Sequence, residues 1–156
     1  MNKRRFTVCV TVLIIAVTGI LSGAGKVNAT DYSVSNPRID SEGNVTWDCA
    51  YFGNYYSAAE YEKEPIKWRV LHIDENDNAL VMADRNIDCN NYNETNRNIT
   101  WEECTLRSWL NGYDASANMD NVDYTADNFI DTAFTEDEKE AIISASETDT
   151  EDKIYL

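Results

Sequence analysis

Ile66-Lys67-Trp68-Arg69-Val70-Leu71-His72-Ile73, then Asp74-Glu75-Asn76-Asp77-Asn78, then Ala79-Leu80-Val81-Met82-Ala83, is the stretch on which the fold turns. Its first part alternates with period two: Ile66, Trp68, Val70 and His72 fall on one face, Lys67, Arg69, Leu71 and Ile73 on the other. Five consecutive turn formers follow, and the chain returns as an apolar run, so a β-hairpin is predicted. The turn opens like a calcium loop. Ala79, however, occupies the place where such a loop needs glycine, and Arg85 the place of its bidentate glutamate, so a plain hairpin turn is the better reading.

Outward from the hairpin, residues 45–56 carry Trp47, Tyr51, Phe52, Tyr55 and Tyr56, a β-prone aromatic stretch that predicts another strand. On the C-terminal side, Thr100-Trp101-Glu102-Glu103 has the form of a capping box, and Leu106, Trp109 and Leu110 make one helical stripe ended by Asn111-Gly112. A second short helix is predicted over residues 128–134. A second capping box, Thr135-Glu136-Asp137-Glu138, leads into residues 139–143. Residues 144–152 read as a solvated acidic loop, and Lys153-Ile154-Tyr155-Leu156 as the opening of a strand. The fold class expected is α+β: an antiparallel hairpin or sheet with two or three short capped helices.

The chain has 156 residues, 43% of them hydrophobic, and a net charge of -15. That composition supports one packed domain, while so acidic a balance excludes a phosphate-backbone partner, and no nucleic-acid binding is expected. Residues 1–29 have the three parts of a secretory signal peptide: Lys3-Arg4-Arg5, an apolar run over 6–21, and small residues up to Ala29. The run is shorter than the roughly 20 residues a membrane helix needs, so cleavage after Ala29 is expected, with no stable membrane span left and a secreted or cell-surface location. Residues 30–44 read as a polar leader and 45–156 as the domain. Cleavage would leave nine basic against 28 acidic residues.

Outside the signal the cysteines are Cys49, Cys89 and Cys104. In an oxidising exterior an odd number leaves one thiol over, and a single bridge is expected, Cys89–Cys104, with Cys49 as the alternative partner of Cys104. The spacings fit no zinc pattern. His72, the only histidine, sits on the apolar face of its strand and reads as packed rather than as a catalytic base. Asn118, Asp120, Asn121, Asp123 and Asp127 place oxygen ligands closely in a loop. Asp120, Asp123 and Asp127 are therefore a Ca²⁺ candidate, against the plainer reading of a solvated loop. Trp47, Trp68, Trp101 and Trp109 could stack on sugars, but Trp68 and Trp109 read as core. No catalytic residue and no cofactor is expected.

Four blocks stand in order: Val45-Thr46-Trp47-Asp48-Cys49-Ala50-Tyr51-Phe52-Gly53-Asn54-Tyr55, Pro65-Ile66-Lys67-Trp68-Arg69-Val70-Leu71, Thr100-Trp101-Glu102-Glu103-Cys104-Thr105-Leu106-Arg107-Ser108-Trp109-Leu110-Asn111, and Asp127-Asn128-Phe129-Ile130-Asp131-Thr132-Ala133-Phe134 with Glu138-Lys139. Together they resemble domain-of-unknown-function family 6273, found in secreted and surface proteins of Gram-positive bacteria. The resemblance covers residues 45–156. It implies a domain that continues past Leu156, of which this chain would be the N-terminal part, and a fold loosely similar to C-type-lectin-like domains. It implies no reaction. The function expected is a non-catalytic binding or structural role, toward carbohydrate, a host surface or an envelope component. The alternative is an extracellular enzyme whose active residues lie in the missing C-terminal half.

Overall fold

The computed structural model describes residues 7–10, 14–18, 37–56, 62–144 and 152–156, the first two stretches as backbone strands. In chain order the strands are β1 (Thr7–Val10), β2 (Ile14–Thr18), β3 (Arg38–Ile39), β4 (Val45–Thr46), β5 (Cys49–Tyr56), β6 (Lys63–Ile73), β7 (Asn78–Ala83) and β8 (Asp88–Asn91). Helix α1 (Thr105–Asn111), a 3₁₀ turn (Ala115–Ala117), α2 (Phe129–Ala133), α3 (Glu136–Ala141) and β9 (Ile142–Ile143) complete the series. The five-stranded sheet has the order β5-β6-β7-β2-β9, and β1-β8 and β3-β4 form separate two-stranded ribbons. Its described pairings are antiparallel, and with the helices they make the α+β fold expected. Among the described residues no helix is long and apolar enough to cross a membrane.

The β6–β7 hairpin closes as its sequence requires. Asp74 Oδ1 accepts the backbone N–H groups of Asn76 and Asn78, each at 2.8 Å, and Asp77 takes a left-handed φ of 62°. Asp40 repeats the device between β3 and β4, accepting from Glu42 and Asn44 at 2.9 Å, with Gly43 at φ 84°. Part of the expected polar leader is therefore a folded ribbon, because an aspartate that satisfies two backbone donors makes a turn by itself. Residues 30–36 of that leader lie outside the described residues.

Two β-bulges set which side chains enter the core. Between Val70↔Val81 and His72↔Leu80 the β6 strand carries one extra residue. Past it the inward phase passes from His72 to Ile73, which partners the buried Ala79. His72 is accordingly exposed rather than packed, and the strict alternation expected there breaks at Leu71. The second bulge lies between Tyr51 and Asn54 on β5, where Gly53 has φ 70°. A Cβ on Gly53 would stand 2.4 Å from the Phe134 ring and 3.0 Å from the Ala133 carbonyl, so only glycine lets this strand lie on α2.

The core is built on Trp68, Val81, Leu106, Leu110, Phe129, Ile142 and Ile154. Trp68 is fully buried and donates its indole N–H to the Phe52 carbonyl at 2.7 Å. Phe129 meets Tyr55, Trp109 and Phe134, which brings β5, α1 and the end of α2 onto one aromatic cluster. Gly112 closes α1 at φ 72°, as predicted. The start of α1 differs: residues 101–103 form a turn and Cys104 is the N-cap, its sulfur accepting from the Arg107 N–H. Tertiary bonds set that start, since Asn93 Oδ1 accepts from the Thr105 N–H while Thr105 Oγ1 accepts from Glu94. The Thr135/Glu138 capping box forms in full at α3.

The acidic C-terminal loop is not wholly solvated. Asp152 has no exposed surface; it pairs with Arg107 at 2.8 Å and accepts from Tyr113 Oη and Trp101 Nε1. Asn111 Oδ1 accepts the backbone N–H groups of Lys153 and Ile154, both at 2.9 Å, which seats Ile154 in the core. Residues 145–151 lie outside the described residues.

Candidate functional site

Strand β5 lies at one edge of the five-stranded sheet, and its end, with the first half of β6 and residues 85–87, forms a groove of about 210 Å³. Pro65 and Ile66 supply its apolar wall, Tyr55 and Tyr56 its aromatic side, and Glu64, Lys67, Arg85 and Asn86 its polar lip. Local sequence explains the opening. Pro65 has no N–H to give to the ladder, and it partners Asn54 where the β5 bulge already interrupts the pairing. A second depression continues the groove past Lys67 and Arg85 to Asp84 and Tyr51. Tyr51 and Tyr56 are 66% and 47% exposed, large rings left facing water beside a concave surface.

The groove's charges are ordered in pairs. Arg85 reaches Glu64 at 3.2 Å, and Asp84 holds both Arg69 at 2.6 Å and Lys67 at 3.4 Å. The Arg69 hydrogen bond holds the Asp84 carboxyl below its ordinary value. Lys63 lies over the Tyr56 ring at 5.4 Å, and Arg69 over Trp47 at 5.7 Å. Tyr55 donates to Asp88 at 2.7 Å, and burial followed by that carboxylate pushes its phenol above the ordinary value, so it remains a neutral donor. Glu64 and Asp84 are each bound to a guanidinium group, which fixes their oxygens where they can orient ligand hydroxyls.

The residues singled out from sequence lie elsewhere. No disulfide joins Cys89 to Cys104 or to Cys49. Cys104 is buried as the cap of α1, where burial raises its thiol's pKa, whereas Cys49 and Cys89 lie on exposed strand positions. Asp120 accepts from Thr95, Asn93 and Arg97 and ties two loops together. Asp123 accepts from the backbone and hydroxyl of Thr125, and Asp127 is exposed. Asp120 and Asp123 thus hold loop geometry, and among the described residues no three His, Cys, Asp or Glu are grouped where they could hold a metal ion. Trp68 is core and Trp109 packs on Phe129, as read from sequence; Trp47 and Trp101 are half-buried, held by Arg69 and Asp152. The groove itself was missed, and its only sequence signal is the aromatic density of residues 51–56.

A family model described as Domain of unknown function (DUF6273) matches residues 76–154. That match begins in the β6–β7 turn, later than the Val45 start expected, so it takes in Arg85, Asn86 and Ile87 of the groove but not β5. No curated protein and no solved structure matches the chain.

Proposed function

Since the chain belongs to the family described as Domain of unknown function (DUF6273), a description that carries no activity, we propose that it is a non-catalytic binding domain of the Gram-positive cell exterior that grips carbohydrate along the β5–β6 groove. The observation that carries this reading is the pair of exposed tyrosines, Tyr51 and Tyr56, set beside a lip of Glu64, Lys67 and Arg85. Sugar rings present C–H faces that stack on aromatic side chains, while their hydroxyls pair with fixed charged groups. The guanidinium–carboxylate pairs hold those groups in place before a ligand arrives, which lowers the ordering cost of binding. The export signal read in residues 1–29 supports an extracellular setting.

Binding of the full chain to immobilised glycans and to isolated bacterial cell wall tests the reading. Tyr51→Ala and Tyr56→Ala are each expected to weaken capture about two- to tenfold, the scale of one aromatic contact. Capture that is unchanged in the double variant, or no capture by the wild type, would overturn it. Export is tested separately by N-terminal sequencing of protein from culture medium, where an intact Met1 would count against cleavage at Ala29.

A further inference from the structure

Strand β2 does not lie at an edge. Residues Ile14–Thr18 run antiparallel to β7, from Ile14↔Met82 to Thr18↔Asn78, and antiparallel to β9 through Ala16↔Ile143 and Val17↔Ile142. Among the described strands the order is β7-β2-β9, so β7 and β9 are joined in the sheet through this one. Its neighbours belong to the core: Val81 is fully buried, Ala79 and Ala83 nearly so, and Ile142 is 2% exposed. Yet residues 14–18 fall inside the segment whose composition marks it for removal on export. The same residues carry an export address and complete the sheet.

We propose that the gap between β7 and β9 is a strand acceptor, filled in the precursor by Ile14–Thr18 and, once residues 1–29 are removed, by an extended apolar segment of another polypeptide that carries a basic flank. The vacancy rests on the export reading above; the acceptor geometry does not. With β2 gone, β7 presents a five-residue row of backbone donors and acceptors and β9 a two-residue row facing its middle, beside buried apolar side chains. A helix cannot satisfy such rows, because its own N–H and C=O groups are bonded internally; an extended strand satisfies both at once. The seated strand shows the composition the slot takes, Ile-Ile-Ala-Val-Thr, small and β-branched. Charge sets the flank. Lys3, Arg4 and Arg5 precede the seated segment, while the chain after Ala29 carries nine basic against 28 acidic residues, so a basic flank is attracted to the acidic remainder of the chain.

The test uses the full chain with a site-specific protease recognition sequence placed between residues 22 and 30, cut only after folding. The N-terminal piece is expected to stay bound through gel filtration. A fluorescent peptide of residues 3–20 is then expected to exchange into the slot, and the same peptide with Ala16→Pro to bind at least about tenfold more weakly, because proline removes a ladder donor at a position with a partner on each side. Seating has its own readout. Cys9 stands opposite Cys89 in the β1–β8 ladder, and antiparallel partners lie about 4.5–5.5 Å apart between Cα atoms, within disulfide range. Copper-phenanthroline oxidation of the nicked complex should therefore trap a Cys9–Cys89 bridge in peptide maps. Loss of the N-terminal piece with the remainder still folded and deaf to the peptide would overturn the proposal. So would unfolding that the peptide does not reverse, or equal binding of the proline peptide. An intact Met1 in the medium would remove the export reading while leaving these outcomes decisive for the slot.

Discussion

Replacing Gly53 with alanine adds one methyl group at the point where β5 crosses α2, and two separate costs follow. The backbone there has φ 70°, a conformation that disfavours any Cβ by about 1–2 kcal/mol. The new Cβ would also stand 2.4 Å from Phe134 Cε1, 2.6 Å from Cδ1 and 3.0 Å from the Ala133 carbonyl. Phe134 cannot yield easily, since its ring is packed against Phe52 at 5.1 Å, Phe129 at 6.1 Å and Trp68 at 6.4 Å. Overpacking of a filled core costs about 1–3 kcal/mol. Gly53→Ala is thus expected to destabilise the protein by about 2–5 kcal/mol, a large part of a domain's roughly 5–15 kcal/mol. Urea titration followed by tryptophan fluorescence reads it as a midpoint lowered by about 1–2 M at unchanged slope. The double variant Gly53→Ala/Phe134→Leu should regain part of the loss, because the clash is relieved while the φ penalty stays. A Gly53→Ala unfolding free energy within about 0.5 kcal/mol of the wild type would refute both the bulge geometry and the packing argument.

Asp152→Ala leaves the Arg107 guanidinium facing a buried position without its carboxylate, and should cost about 3–5 kcal/mol by urea titration; a loss below about 1 kcal/mol would show that water replaces the pair. Asp84 and Asp131 have carboxyls held below the ordinary value by Arg69 and Lys139 respectively, so their contribution is full above about pH 4 and falls away as pH drops through the lowered values. The stability gap between wild type and Asp84→Asn should accordingly be largest at neutral pH and narrow as pH falls below about 4; a gap that persists unchanged in acid would assign it to packing rather than charge.

Much of the molecule was legible where structure is local. The β6–β7 hairpin follows from alternation and from an aspartate placed to satisfy two backbone donors. Gly112 as a left-handed helix end and the Thr135/Glu138 capping box follow from bonds that span only a few residues. Trp68 and the stripe of Leu106 and Leu110 went to the core because apolar area leaves water wherever the period allows it. What failed to show in the sequence depends on partners far along the chain. One inserted residue at Leu71 turns His72 outward, and period counting has no means to see a bulge. Helix α1 starts at Thr105 rather than after Thr100 because Asn93 and Glu94, on another loop, take its first bonds. Asp152 is buried because Arg107, Tyr113 and Trp101 converge on it, although its neighbours in sequence are those of a solvated acidic loop. The groove and the place of β2 are of this kind as well. A residue's own chemistry selects helix, turn or strand over a few positions, but which surface it meets is set by loop closure and shape, quantities that exist only once the distant segments are packed.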